Sequence, residues 1–368
     1  MTRTTMRRRE MLLSGLAGGV AATTLAKPAI AQSMPEVKWR LTSSFPKQLD
    51  TIFGTAQQLA KLVGEATDGK FQIQAFAAGE IVPGLQALDA VTSGAIECCH
   101  TPTYFYVGKE PALGLGTGLP FGPNARQQHS WWHFGGGEKI VNEALAKFNA
   151  ISFPAGNSGT QMGGWFRKEI NSLADLNGLK FRIGGTGGAV LRKLGVVPQQ
   201  IAPGDIYPAL EKGTLDAVEF VGPYDDEKLG FQKVAKYYYF PGFWEGGAML
   251  HLCVNLEQWN RLPKHYQAVL VQASESANNW MLAKYDAVNA PALKRLLGAG
   301  TELRAFPLAV MDAAYDAAKA VYAEYAAQSP LFAKGLESVN AYLGDVTPWW
   351  KIGEYSYDTI SIRQRERG

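Results

Sequence analysis

The chain has 368 residues and a formal net charge of +3, from 36 lysines and arginines against 33 aspartates and glutamates. Residues 1–31 hold five basic side chains and one acidic side chain, a charge of +4, so the rest of the chain carries −1. This balance gives no argument for binding to nucleic acid or to an acidic membrane surface. The length exceeds what one hydrophobic core usually spans and predicts two domains.

The first thirty-one residues have the pattern of a bacterial secretory signal peptide. Three arginines, at 7–9, precede an uncharged run over 11–24, and Ala29-Ile30-Ala31 is a small-x-small cleavage site. The run is too short for a membrane span, which takes roughly 20 apolar residues. The arginines favour the twin-arginine export route, with an ordinary Sec signal as the alternative. Both routes predict a periplasmic protein.

Strand and helix patterns alternate in the first part of the exported chain. Strands are expected over 37–41, 71–76 and 96–99, with helices over 51–63 and 85–92 between them. This β-α-β-α-β order predicts a parallel sheet with helices on its faces.

A second unit of the same kind is predicted beyond residue 156. A helix, a glycine C-cap and a strand that opens with an apolar–acidic pair recur over 88–97 and 207–216. Crossover strands are expected at 151–155 and 164–167, on either side of this boundary, and a further strand and a short helix at 179–183 and 188–194. The sequence therefore predicts two α/β lobes.

The chain is expected to cross between the lobes twice, near Gly156 and near Gly242. Two crossings make a hinge, and a hinge between α/β lobes makes a cleft that can close. Beyond the second crossing the pattern is helical, and long helices there could brace both lobes. These helices are expected at 256–263, 264–297 and 308–327.

The predicted division of the chain follows from these crossings. It assigns 33–156 with 243–285 to lobe one, 157–242 with 286–345 to lobe two, and 346–368 to a C-terminal aromatic helix or tail. A tail this aromatic would be sticky in solvent. We expect it to pack either on its own core or on a second subunit.

Three cysteines, Cys98, Cys99 and Cys253, are present without any C-x-x-C spacing, so neither a zinc site nor a redox site is indicated. Buried free thiols are expected, and a bridge to Cys253 is the alternative in the periplasm.

Arg182 is the first candidate for a ligand-binding side chain. It ends a predicted strand and is followed by glycines over 184–188, and ligands of α/β sheets bind at strand carboxyl ends. Glycines let backbone N–H groups approach a ligand, and a guanidinium matches a carboxylate in two bonds. The run lacks both the Walker motif and the dinucleotide fingerprint. We therefore predict an anion clamp, with a surface arginine as the alternative.

Four segments, in their order and spacing, resemble the solute-binding proteins of tripartite ATP-independent periplasmic (TRAP) transporters. They are 76–83, 88–97, 256–263 and the stretch Ser-Leu-Ala-Asp-Leu-Asn-Gly-Leu-Lys-Phe-Arg at 172–182. The resemblance covers roughly 33–345. It implies an α/β, two-lobe periplasmic binding protein fold with a cleft, hinge strands and long bracing helices, and it implies that Arg182 reaches into the cleft.

The segment 215–226 resembles the branch of this family that binds 2-oxo or 2-hydroxy monocarboxylates, often beside a metal ion. In that branch an acid and the next residue's carbonyl bind the cation, which implies Glu219 and Phe220 for this chain. Glu245 would add a carboxylate and Gln161 an amide oxygen. Because oxygen ligands select hard cations, Na⁺ is expected, with Ca²⁺ as the alternative.

The charges of these groups bear on the cation. Arg182, a monocarboxylate ligand, Glu219 and Glu245 together carry −2, which is expensive to bury. A divalent cation would neutralise this charge, whereas Na⁺ would suffice if Glu245 pointed elsewhere.

Several further side chains are predicted to touch the ligand. Tyr104 and Thr103 follow the third strand, where the tyrosine hydroxyl could bond a carboxylate. Asn157 and Gln161 lie in the first crossing, and Trp244 could cover the ligand's apolar end. Ordinary core packing is the alternative for the aromatic residues.

The predicted function is the periplasmic solute-binding subunit of a TRAP transporter, delivering a short 2-oxo or 2-hydroxy acid to membrane subunits, and a homodimer is expected. One alternative is a secreted carbohydrate-active or other hydrolytic enzyme that uses Glu219 and Glu245. Since no H-E-x-x-H or G-x-S-x-G motif occurs, no enzyme is expected. The other alternative is a periplasmic sensor of the same fold.

Overall fold

The structure is a computed structural model and describes residues 34–367. The predicted signal peptide, its cleavage site and its export route concern residues outside that range. The chain divides into two units, Met1–Pro35 and Glu36–Gly368, and the architecture that follows belongs to the second. No helix among the described residues has both the length and the apolar character needed to cross a bilayer.

The described residues contain eleven strands. These are β1 (Val37–Ser43), β2 (Phe71–Phe76), β3 (Cys98–Thr101), β4 (Ala150–Asn157), β5 (Gly164–Phe166), β6 (Lys180–Arg182), β7 (Val197–Gln199), β8 (Ala217–Val218), β9 (Tyr237–Phe240), β10 (Met249–Asn255) and β11 (Glu302–Ala305). They form a five-stranded sheet in the order β2-β1-β3-β10-β4 and a six-stranded sheet in the order β11-β9-β5-β8-β6-β7.

The same residues contain thirteen α-helices. These are α1 (Ile52–Ala66), α2 (Ala87–Thr92), α3 (Leu113–Thr117), α4 (Ala125–Phe134), α5 (Gly137–Ala146), α6 (Gly185–Lys193), α7 (Ile206–Glu211), α8 (Pro223–Leu229), α9 (Leu256–Arg261), α10 (Lys264–Gly298), α11 (Leu308–Gln328), α12 (Pro330–Trp350) and α13 (Ser356–Arg365).

Both sheets are mixed, which corrects the expectation of a parallel sheet. In the first sheet β1 pairs in parallel with β2 and β3, but β10 runs antiparallel to both β3 and β4. The sequence pattern missed β10 because all seven of its residues are buried, so polar and apolar side chains do not alternate along it. This strand brings the chain back to the first sheet after it has built the second.

The helix α10 connects the two sheets from behind. It packs on α1 and β4 of the first sheet and on α8, which lies beside the second. Its Asn278 Oδ1 accepts a hydrogen bond from the Gly156 backbone N–H at 3.1 Å, at the end of β4. The predicted helices over 264–297 and 308–327 are thus confirmed as α10 and α11.

The predicted lobe two, with 286–345 as its second part, includes most of the helix α12. Its buried side chains Leu331, Phe332 and Val339 belong to the hydrophobic core that also contains β3 and α5, on the side of the first sheet. Because the apolar spacing of α12 would suit either lobe, the sequence could not decide between them. The predicted lobe boundaries stay predictions.

The C-terminal segment is helical and does not pack on the core. A π-helical stretch, Lys351–Tyr355, joins α12 to α13. Arg126 of α4 contacts it, since its guanidinium pairs with Glu354 and lies 4.4 Å from the Trp350 ring centroid. The large apolar side chains that remain exposed are Trp349, Ile352, Tyr355, Tyr357, Ile360 and Ile362. Cys98, Cys99 and Cys253 are buried free thiols, as expected.

Gly156 is required by a close approach of α10 to the end of β4. Its φ is +149°, and a Cβ placed there would lie 2.5 Å from the Met281 sulfur. We expect Gly156→Ala to lower the free energy of unfolding by about 1–3 kcal/mol in urea denaturation. The control is Gly204→Ala, where a Cβ meets nothing within 4 Å. Equal effects of the two substitutions would contradict this account.

Candidate ligand and cation site

Adjacent strand ends bring Arg182 and Glu219 together. β6 and β8 pair in parallel with Arg182 opposite Val218, so the residue after β8 lies beside the last residue of β6. The Arg182 Nη1 donates to the Glu219 carbonyl oxygen at 2.6 Å, and Nε donates to the Ile201 carbonyl at 3.2 Å. Nη2 has no hydrogen-bond partner among the described residues, so one edge of the guanidinium is free to bind an anion.

Three side-chain oxygens meet next to this guanidinium. The Gln161 Oε1 lies 3.0 Å from Oε1 of Glu219 and 3.2 Å from Oε1 of Glu245. Glu219 Oε2 is 3.5 Å from the Arg182 Nη1. All four side chains are at most 3 % exposed. Oxygens so placed repel one another unless a cation binds among them.

The orientation of the Gln161 amide decides whether the two carboxylates face a hydrogen-bond donor or a further oxygen. Its Nε2 donates to the Ser158 Oγ at 2.9 Å, while that hydroxyl donates to the Gly159 carbonyl at 3.0 Å. In the opposite orientation the amide nitrogen would donate to both carboxylates, and the amide oxygen would accept from the Ser158 hydroxyl. Without a cation the opposite orientation satisfies more of the polar groups, whereas a cation bound between the carboxylates would turn the amide oxygen toward them. With the amide oxygen so turned, the donor set fits a hard cation.

Burial opposes ionisation of both carboxyl groups. It raises the pKa of Glu219, and the nearby charge of Glu245 raises it further. Burial also raises the pKa of Glu245, while the Arg182 guanidinium acts in the opposite direction. One guanidinium therefore does not compensate two buried carboxylates, and further positive charge at the cluster would stabilise their ionised forms.

Phe220 also has features of the predicted cation site. Its carbonyl oxygen accepts no hydrogen bond from the described residues, which leaves its lone pairs available. Its ring lies 5.5 Å from the Arg182 guanidinium carbon. The ring therefore supports the arginine through a cation–π contact.

A small cavity adjoins this cluster, with a volume of about 20 Å³. Arg182, Gln161 and Tyr104 form part of its wall together with Ser158. Burial and the two carboxylates raise the pKa of Tyr104, which therefore keeps its proton as a donor. The remaining wall is mainly apolar and consists of Phe45, Ile52, Pro102, Phe105, Phe220, Val221, Ala248 and Leu250.

Three predicted ligand contacts, Thr103, Asn157 and Trp244, are not among the residues that line this cavity. The Thr103 hydroxyl donates to the Leu113 carbonyl at 2.6 Å and so holds α3 in place. The Asn157 Oδ1 accepts from the Gly159 N–H at 2.9 Å. Trp244 packs in the second-sheet core, 5.7 Å from the Phe181 ring. Their roles in binding stay predictions.

The apolar wall was missed by the sequence analysis. Phe45 follows the end of β1, so the rule that ligands bind at strand ends could have found it. Leu250 lies in β10, which was itself unrecognised, and Ile52 begins α1. Nothing in the sequence around Leu250 or Ile52 distinguishes these residues from ordinary core residues.

The family model of the bacterial extracellular solute-binding proteins, family 7 (DctP), matches residues 42–329. The chain belongs to this family of solute-binding proteins. The predicted membership is therefore confirmed, and so is the two-lobe α/β fold, since a TRAP solute-binding protein described below shares it.

Three relatives refine this family assignment. The monocarboxylate 2-oxoacid-binding periplasmic protein of Nostoc sp. (strain PCC 7120) is 46 % identical over 97 % of this chain and 99 % of its own length. A TRAP transporter solute-binding protein from Bordetella bronchiseptica RB50 is 50 % identical, with a TM-score of 0.89 over 90 % of this chain and 99 % of that chain. One from Pseudoalteromonas atlantica T6c is 37 % identical, with a TM-score of 0.85 over 88 % and 98 %.

The two solved relatives contain ligands and cations. The Bordetella protein is a mixed-occupancy dimer with copurified calcium and picolinate bound in one active site and the other site apo. The Pseudoalteromonas protein has bound sodium and pyruvate.

Proposed function

We propose that the protein is the periplasmic solute-binding subunit of a TRAP transporter and captures a short 2-oxo or 2-hydroxy acid together with a hard cation. The observation that carries this proposal is the meeting of two buried carboxylates, Glu219 and Glu245, and the Gln161 amide beside the Arg182 guanidinium. Pyruvate and picolinate, the ligands of two relatives, each have a second donor atom one carbon from the carboxylate. Such ligands can use an anion clamp and a cation at once.

Each polar group has a distinct role in this proposal. The free Nη2 edge of Arg182 binds the ligand carboxylate, and the Tyr104 hydroxyl donates to it from the opposite lobe. Gln161, Glu219, Glu245 and the Phe220 carbonyl would hold the cation, which would supply positive charge to the carboxylate and the 2-oxygen.

The charge balance favours Ca²⁺ over the expected Na⁺. Glu245 points into the cluster, so the buried groups and a monocarboxylate ligand together carry −2. A divalent cation neutralises that charge, whereas Na⁺ leaves −1 in a site with little solvent. Relatives with calcium and with sodium are both known, so Na⁺ remains the alternative.

The cavity limits the size of the ligand. Its volume of about 20 Å³ leaves room for a few atoms beside Phe45, Ile52 and Leu250. A methyl or ethyl group fits such a wall, while an added charge would lack a partner there. We therefore place pyruvate-like acids ahead of longer acids, sugars and amino acids.

Ligand entry requires the lobes to open, because the charged side chains of the site are almost fully buried. One contact that opening would break involves Asp50, at the start of α1. Its carboxylate pairs with Lys228 and accepts from the Tyr224 hydroxyl at 3.1 Å, both on α8, and it also pairs with Lys284 of α10 at 3.2 Å. These contacts act as a latch between the predicted lobes.

Export, delivery and assembly complete the proposal. The signal peptide at 1–31 would direct the chain to the periplasm, where the closed form docks on the TRAP membrane subunits. The exposed apolar residues of α12 and α13 suit a homodimer, since that surface would be sticky in solvent.

The test of this proposal is calorimetry of pyruvate binding in Ca²⁺ and in Na⁺, with wild type and Glu245→Gln. The substitution removes one of the two cluster charges, so it should reduce or reverse the preference for Ca²⁺. Glu65→Gln, at an exposed position on α1, is the control. Tight binding of a sugar or an amino acid without any acid binding would overturn the function.

Arg182→Lys keeps the positive charge but removes the fork of donors. We expect pyruvate affinity to fall about 10- to 100-fold, because hydrogen bonds to a charged group are worth about 1.5–3 kcal/mol. Thermal unfolding monitored by circular dichroism shows whether the variant is folded. Undiminished affinity in a folded variant would contradict the clamp.

Asp50→Asn should weaken the closed form and lower pyruvate affinity by up to about fivefold, as for a partly exposed ion pair. Added salt should lower wild-type affinity by a similar amount and affect the variant less. Lys61→Met is the matched control, since its partner Glu65 lies on the same helix. Equal salt dependence of wild type and Asp50→Asn would rule out the latch.

A further inference from the structure

One group of three metal-ligating side chains occurs in residues 34–367 away from the cleft. His129 and His133 lie on α4 and Glu275 lies on α10, with their ligand atoms all within 4.8 Å of one another. The His133 Nε2 is 3.1 Å from Glu275 Oε1, and the His129 Nε2 is 3.6 Å from Oε2. Each carboxylate oxygen therefore faces one imidazole.

The helix α4 holds the two histidines in place. They are four residues apart and share a face of the helix, with ring centroids 4.6 Å apart. Asn124 and Gln127 form a capping box at its start. Trp131 and Trp132, between the histidines in sequence, are fully buried and fix the rotation of the helix. The pair is therefore directed at α10 before any ligand binds.

We propose that His129, His133 and Glu275 bind a transition-metal dication of the Zn²⁺ type and thereby connect α4 to α10. Two imidazole nitrogens and one carboxylate oxygen are ligands that such ions prefer. The oxygen-only cluster in the cleft prefers hard cations instead. The two sites therefore select different metals.

The site is accessible without opening of the lobes. The side chains of His129, His133 and Glu275 are 39 %, 31 % and 24 % exposed. Three protein ligands leave at least one coordination position of a tetrahedral ion open to water or to a group on another molecule.

Metal binding through His129 would break the hydrogen bond between Asn278 and this histidine. The Asn278 Oδ1 accepts from the Gly156 N–H, so its amide nitrogen faces the His129 Nδ1 at 3.1 Å. In neutral His129 the ring proton is therefore on Nε2, toward Glu275. Binding through Nε2 requires that proton on Nδ1, which breaks the bond from Asn278. Metal binding is thereby coupled to the end of β4, where the chain leaves the first sheet.

The direct test is titration of the tag-free mature protein with Zn²⁺, with Ca²⁺ and pyruvate present to occupy the cleft. We expect one Zn²⁺ per chain and at least about a tenfold loss of affinity in His129→Ala and in His133→Ala. The control is His265→Ala, an exposed histidine on α10 outside the group. Equal Zn²⁺ binding by wild type and the double variant His129→Ala/His133→Ala would overturn the site.

The substitution Asn278→Asp tests whether His129 binds the metal through Nε2, because it should strengthen Zn²⁺ binding. An aspartate accepts from both the Gly156 N–H and the metal-bound form's Nδ1–H, so Zn²⁺ affinity should rise about tenfold. The thermal midpoint should also rise further with Zn²⁺ than in wild type. Unchanged or weaker affinity would exclude the His129 Nε2 as a ligand.

Discussion

The rest of the site depends on the burial of two carboxylates, Glu219 and Glu245, around one side-chain amide. Charges taken out of water must be compensated within the protein, and the Arg182 guanidinium supplies only one positive charge. The second carboxylate leaves an excess of negative charge that a bound cation and a bound anion can balance together. Ligand and cation are therefore expected to bind with positive cooperativity, each stabilising the site for the other.

This arrangement needs three separate parts of the chain to meet. Arg182 and Glu219 come from the ends of two neighbouring strands, Gln161 from the segment that leaves the first sheet, and Glu245 from the segment that returns to it. The Gln161 and Glu245 segments are the two crossings between the sheets. Because the proposed cation ligands Gln161 and Glu245 lie in these crossings, we expect movement of the lobes and completion of the site to occur together.

The sequence predicted those features that depend on local chemistry. Arg182 was found because a strand, an arginine and a glycine run lie in order, and α10 because its periodicity is long. Thr103 shows the limit, since a hydroxyl after a strand can serve a ligand or, as found, the Leu113 carbonyl. Glu245 lies in an irregular segment and was identified by family resemblance. The surface group His129, His133 and Glu275 required tertiary structure, because α4 and α10 are far apart in sequence.

The small cavity has a consequence for how substrates are sorted. An acid with a longer chain could still reach Arg182 and the cation, but its tail would press on Phe45 and Leu250 and hold the lobes ajar. Such a complex would form, but it would not have the closed conformation that is proposed to dock on the membrane subunits. The cavity would thus select acids by chain length, because longer acids would bind but would not be delivered to the membrane subunits.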